Sequence, residues 1–584
     1  MSLAQCAATS CSAVRSTQMR WWQTASSLAF AAALGWGLLA PHAAQAKEAQ
    51  EGPASSTGSV TGSTEADIIA FINAQIQQGW KEGGIKGSPK ASDLEWCRRV
   101  YLDVIGRVPT PEELKEFTQL SGDRKSKLMD KLLESDGYDR EYARNFMTVW
   151  TNLLIGRPPA RPDREPTNRE GMQQYLRVAF LKNMPYDKMV IELVSATGTT
   201  KPGQEGYNGA ANFLVGKLKE GASEATSRTA RYFLGMQVQC TQCHNHPFND
   251  WKQDQYWGMN AFFKQTAMRE QRQGASIDYS ELENHDFRGD DGSTPEKAET
   301  YYELRNGQMQ VAYPKFVDGT TIDPSGYVNK VDRRAELAKL IVKHENFGKA
   351  IVNRMWAHFL GYGFTKPIDD IGPHNQASHP ELFDRLGKEF ANNGHDLRKL
   401  IRWVTLSEPY ALSSKVVGKN SKDDPSLGEK PKFSHFYLRQ MQAEQLYESL
   451  AVLTQKKGGD PAEHERTKAA WMQQFTVTFG NDEGDDATTF NGTIPQALML
   501  MNGEMVKTAT SVEPGSFLNN LANNGQQFGN NVEYMYLSLL ARKPSGGDFG
   551  AMAQAGLTAR GDVLTAYQDI MWALLNCNEF IFIH

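Results

Sequence analysis

Cysteine is scarce in this chain, with six in 584 residues. A protein so poor in cysteine is not a disulfide scaffold, and at this length it can be held by its own core. A large charge excess is missing too. The formal net charge is only −5, so electrostatics give no case for nucleic acid or an anionic membrane surface as the main partner. Past the N-terminal region no apolar run approaches the roughly 18 residues that mark a membrane-spanning helix. Familiar catalytic fingerprints are also absent: there is no Gly-x-Ser-x-Gly elbow, no His-Glu-x-x-His, no Gly-rich phosphate cradle and no dinucleotide fingerprint after a strand.

What is present begins with an export pattern. Arg15 and Arg20 precede an apolar run from Leu28 to Leu39, and Ala44-Gln45-Ala46 follows. These three parts predict a signal peptide over residues 1–46, cleaved after Ala46, and a periplasmic or extracellular protein with no membrane span once it is removed. Met19 would serve as an alternative start, leaving Cys6 and Cys11 outside the protein. The mature chain then holds Cys97, Cys240, Cys243 and Cys577. Residues 47–64 are Ser, Gly, Thr and Glu with almost nothing apolar, and read as a flexible linker.

Apolar residues then recur at helical spacing. Ile68, Ile69, Ile72 and Ile76 share a face, and Thr110-Pro111-Glu112-Glu113 supplies an N-cap, a first-turn proline and a capping-box glutamate. Further helical stretches are predicted over Leu128–Leu133, Tyr142–Leu154, Met172–Leu181 and Glu224–Val238. Residues 265–330 are polar and rich in Gly and Asp. In them Asn306-Gly307, flanked by Tyr301–Leu304 and Met309–Tyr313, predicts a β-hairpin. Helical faces return at Arg333 and persist. The expected fold is mainly α, with two helical domains, 65–264 and 331–584, and a small hairpin-containing segment between them.

The chemistry is concentrated in Cys240-Thr241-Gln242-Cys243-His244. Two thiols separated by two residues can add across neighbouring vinyl groups of a haem, and the next residue, His244, then lies beneath the iron as proximal ligand. Covalent haem c is therefore the expected cofactor, with Cys240, Cys243 and His244 as its binding residues. Two other chemistries stay open: a Cys240–Cys243 disulfide, and a metal such as zinc held by Cys240, Cys243, His244 and His246. Downstream, Trp251, Tyr256, Trp257, Phe262 and Phe263 offer flat apolar surface that could wrap a porphyrin or simply form core. The sixth ligand is open: Met259 or Met268 would raise the potential, His374 or His379 would lower it. His246 is too close in sequence to reach the opposite face.

In these same residues the chain resembles planctomycete-type secreted proteins that join a cytochrome-c-like domain to a planctomycete-specific C-terminal domain. The resemblance rests on Arg98 to Arg107, Cys240 to Phe248, Val352 to Trp356, Pro367 to Gly372, Ser378 to Leu382, and the ending Ala573 to Asn576 with Glu579-Phe580. It implies export and a haem, and no established reaction. Asn245 and Asn249 stand where the family commonly has Asp, which removes two potential carboxylate ligands around His246.

Three functions follow as expectations. The first is an exported monohaem c-type protein that passes single electrons, with a redox partner protein. The second is a haem-free secreted binding or scaffold protein with a Cys240–Cys243 disulfide. The third is a metal-dependent hydrolase assembled from His246, Asp369, Asp370, His374 and His379.

Overall fold

The computed structural model describes residues 63–159, 161–292, 294–454, 467–472, 503–548 and 562–584. The expected signal peptide, and the linker as far as residue 62, lie outside the described residues. The fold is mainly α, as the helical periodicities imply. Thr64, placed at the end of the linker, caps the first helix, Glu65–Glu82, in a reciprocal capping box with Asp67. Ile68, Ile72 and Ile76 of that helix are buried, while Ile69 is half-buried. The predicted start at Thr110 is also a capping box: Thr110 accepts from the Glu113 backbone and Glu113 returns the bond. Glu113 does further work, accepting from Arg107 at 2.8 Å and from the Tyr138 hydroxyl at 2.7 Å.

Helix Glu65–Glu82 packs on Pro380–Asn392 and Leu397–Thr405, and Lys219–Leu234 packs on Glu345–Leu360. Both helical stretches thus contribute to one continuous hydrophobic cluster, which runs from Ile68 to Ile583.

The polar segment holds more strand than the sequence discloses. Thr300–Glu303 and Met309–Ala312 pair antiparallel around Gly307 at φ 82°, as the Asn-Gly signal predicts. A second, longer hairpin joins Thr266–Gln273 to Ser276–Asn284, and Gly198–Thr199 adds a third strand to it. It was not legible because neither strand carries a sustained apolar alternation: Arg269 and Arg272 are exposed, and only Ser280 and Leu282 are buried. Gly274, at φ 65°, makes its turn.

The interior contains buried cations. Between helix Asp93–Val100 and Gly106, residues Tyr101–Ile105 form a wider π turn, closed by the bond from the Gly106 amide to the Tyr101 carbonyl at 2.9 Å. Asp103 in this turn is fully buried. It accepts two bonds from Arg439 at 2.8 and 3.0 Å and one from the Tyr410 hydroxyl at 2.7 Å. Gly106, at φ 85°, is required there, because a Cβ would fall 2.5 Å from the Asn145 side-chain oxygen. Arg98 and Arg99, also buried, donate to the carbonyls of Leu539, Phe580, Phe582 and His584. Removing one partner of a buried pair leaves an uncompensated charge. Asp103→Ala and Arg439→Ala should therefore each cost about 3–5 kcal/mol in urea unfolding; a loss below about 1 kcal/mol would show that the pair is not structural.

Candidate functional site

Helix Lys219–Leu234 delivers the chain toward the cysteines but stops four residues before the predicted end. Gly235 adopts the left-handed conformation at φ 62° and terminates it, so Met236 to Val238 leave the helix. The physical reason is the Gly235 cap, a C-terminal signal that outweighs the apolar period continuing through Val238. The Gly235 carbonyl accepts from the Ile371 amide at 2.7 Å, and the Ile371 side chain fills the space a Cβ at Gly235 would need. Two further bonds fasten the same junction: Asp369, 4% exposed, takes Arg231 on one carboxylate oxygen and Gln237 on the other, the latter at 2.8 Å.

Residues Gln239–Gln242 then form a single 3-10 turn. Thr241 is its buried anchor, donating to the Val238 carbonyl at 2.6 Å. Cys240 and Cys243 are both exposed and not bonded to each other. The turn is held from behind by Trp257, which the sequence offered only as flat apolar surface, and by Gln253, which it did not single out. The Gln242 carbonyl accepts from the Trp257 indole at 3.0 Å and from Gln253 Nε2 at 3.2 Å, and Gln253 also donates to the Glu303 carbonyl in the Asn-Gly hairpin. Nothing short of the folded hairpin could have singled out Gln253.

The two histidines of the segment differ in which nitrogen is spent. His244 Nδ1 lies 2.6 Å from the Asn245 carbonyl, which can only accept. A neutral His244 therefore carries its proton on Nδ1 and presents an unprotonated Nε2, the arrangement usual for imidazoles that bind iron or zinc. His246 is the reverse: its Nδ1 accepts from the amides of Phe248 and Asn249 at 3.2 and 3.1 Å. Its neutral ring then carries the proton on Nε2, so its role is to close the loop, together with the bond from its own amide to the Trp251 carbonyl at 2.8 Å. Asn245 and Asn249 are loop residues as well, accepting from the amides of Gln253 and Trp251. Either side chain uses the oxygen that Asp would also offer.

The residues expected as distal ligands are dispersed. Met259 is fully buried in helix Gln253–Asn260, and Met268 packs against the core from the longer hairpin. His374 Nε2 is 2.9 Å from Asp370, and its ring lies over Gly372. His379 is buried, with Nδ1 3.0 Å from the Ser378 hydroxyl and Nε2 against Gly79 of the first helix. Of the five residues of the hydrolase expectation only Asp370 and His374 meet. Among the described residues no group of three or more His, Cys, Asp or Glu side chains is placed to hold a metal ion. Of the two readings of the aromatics, Tyr256, Phe262 and Phe263 take the core one and Trp257 stacks on Tyr302, leaving Phe248 and Trp251 as the open aromatic surface. The donor set itself fits a tethered haem, with two exposed, unbonded thiols at the attachment spacing and a histidine whose Nε2 is free.

The architecture is thus a mainly α chain with small antiparallel hairpins and an exposed Cys-x-x-Cys-His turn. Residues 71–268 match the family described as PSCyt2, a protein of unknown function (DUF1549), and residues 333–489 match PSD1, a protein of unknown function (DUF1553). Both are domains of unknown function found in planctomycete-type proteins. No curated protein and no solved structure matches the chain. Among the described residues no helix is long and apolar enough to cross a membrane.

His379 makes stability depend on pH. Burial, reinforced by Lys432 and opposed by Asp423 and Glu82, lowers its pKa from 6.5 to about 4. His584 is lowered similarly by burial. Above pH 6.5 the ring is neutral in both states. Between 6.5 and 4 the unfolded chain takes up a proton that the folded one refuses, so stability falls as pH falls. The melting temperature should decline across that window in wild type and decline less in His379→Gln; parallel curves would remove His379 as the cause.

Proposed function

We propose that this chain is an exported c-type haem protein, in which Cys240 and Cys243 tether the porphyrin through thioether bonds and His244 Nε2 is the proximal ligand. The observation that carries the reading is the commitment of His244 Nδ1 to the Asn245 carbonyl, beside two exposed, unbonded thiols. A hydrogen bond from the ring's other nitrogen to a carbonyl fixes the ring and raises its basicity toward iron. The haem would supply one-electron chemistry. The chain's own part is to hold the turn still: Gln253 and the Trp257 indole fix the Gln242 carbonyl, and Thr241 anchors the turn to Val238. The thiols stand at the surface, which suits electron exchange with a partner protein that approaches the haem edge directly.

Expression of the full chain in a host with haem-attachment machinery tests this. A haem-stained band on a denaturing gel and a c-type α-band in the reduced-minus-oxidised spectrum are expected. Cys240→Ala together with Cys243→Ala should abolish the stain. His244→Ala should change the spectrum more than the stain, since the thioethers remain. A colourless, unstained protein, with or without bound zinc, would overturn the reading.

A further inference from the structure

The loop that closes over His246 also forms one wall of a cleft of about 830 Å³. Residues 371–377 line it as a second wall, and the start of helix Glu345–Leu360, where Asn346 is buried, is its floor. The chemistry of this cleft is unevenly distributed. On the floor lies Asn346, 8% exposed, whose side-chain amide meets no hydrogen-bond partner among the described residues. Beside it, His344 caps the helix by accepting the Asn346 amide proton on Nδ1 at 3.1 Å, so its neutral ring holds a proton on Nε2. The floor therefore offers N–H donors and an amide acceptor with hydrogen-bonding capacity unspent. Both polar atoms of this amide stay open to the cleft and unspent on the protein, so a ligand seated there can bond to them.

The rim has the opposite character. Asp250 and Asp318 have no ion-pair partner among the described residues, while Glu345 and Asp384 share Lys349, at 4.0 and 2.8 Å. Phe248, 88% exposed, and half-buried Trp251 stand on the same wall. An anionic ligand would meet four carboxylates against one lysine. A cationic ligand would satisfy the rim and the Asn346 oxygen but leave the N–H donors of His344 and Asn346 without an acceptor. A neutral ligand bearing both donors and acceptors satisfies both, and hydroxyls on a ring with apolar C–H faces would also use the aromatic surface.

We propose that this cleft binds a neutral carbohydrate, with hydroxyls held by Asn346, His344 and the rim carboxylates and a sugar face stacked on Phe248. The site does not depend on the haem reading, because none of these residues belongs to the attachment turn.

Isothermal titration of the full chain with cellohexaose, maltohexaose, mannohexaose and xylohexaose tests it, with spermine and oligogalacturonate as cationic and anionic comparators. Binding of at least one neutral hexasaccharide is expected, weakened about tenfold or more by Phe248→Ala and by Asn346→Leu. Phe248→Ala removes a surface ring and should leave the melting temperature unchanged, so its effect on binding is free of folding defects. No binding of any neutral hexasaccharide, preferential binding of spermine or oligogalacturonate, or unchanged affinity in Phe248→Ala would overturn the proposal.

Discussion

A guanidinium taken out of water must find partners for five N–H groups, and in this protein the partners are mostly backbone carbonyls. Arg98 and Arg99 gather those of Leu539, Phe580, Phe582 and His584, and Arg99 stacks 3.5 Å from the centre of the Phe436 ring. Arg333 and Arg334 repeat the device elsewhere. Arg333 reaches the carbonyls of Ala261, Ala298, Pro324 and Ser325, and Arg334 those of Val194 and Ala196. Burial lowers the pKa of all four to about 10, so they remain charged at neutral pH. Each unmet donor would cost about 1–3 kcal/mol, which obliges irregular segments to stay where the arginines hold them.

This constraint explains how a chain with so many loops can position a site. The Arg333 guanidinium fixes Ala261 and the segment around Pro324, which flank the hairpins. One hairpin supplies the Glu303 carbonyl that orients Gln253, and Gln253 in turn supports the cysteine turn. On the other side Arg231, Gln237 and Asp369 lock the Ile371 loop to Gly235. The cysteine turn and the cleft are therefore built on loops, yet each loop is tied to a buried charged group or a helix end.

Much of the helical content was legible because it depends on period and caps. The Thr110 box, the isoleucine stripe of the first helix and the Asn306-Gly307 turn all appear where local sequence puts them. The Cys-x-x-Cys-His turn was equally plain, since its chemistry lies in adjacent residues. The long hairpin was not, because its faces carry charged and polar residues on both sides. Nor were the tandem arginines, whose burial depends on carbonyls hundreds of positions away. Asp369 looked like a ligand and is an anchor, and His379 is a packed ring against Gly79; only the partner's position could separate those roles.

The separation between Arg98 and its partners has a consequence for how the protein is made. The Phe580 carbonyl lies 482 positions downstream of the guanidinium that needs it. A ribosome releases the two arginines long before it has polymerised the C-terminal segments whose carbonyls receive them, so the first helices cannot reach their final packing while synthesis proceeds. The nascent chain must wait in an open, aggregation-prone form.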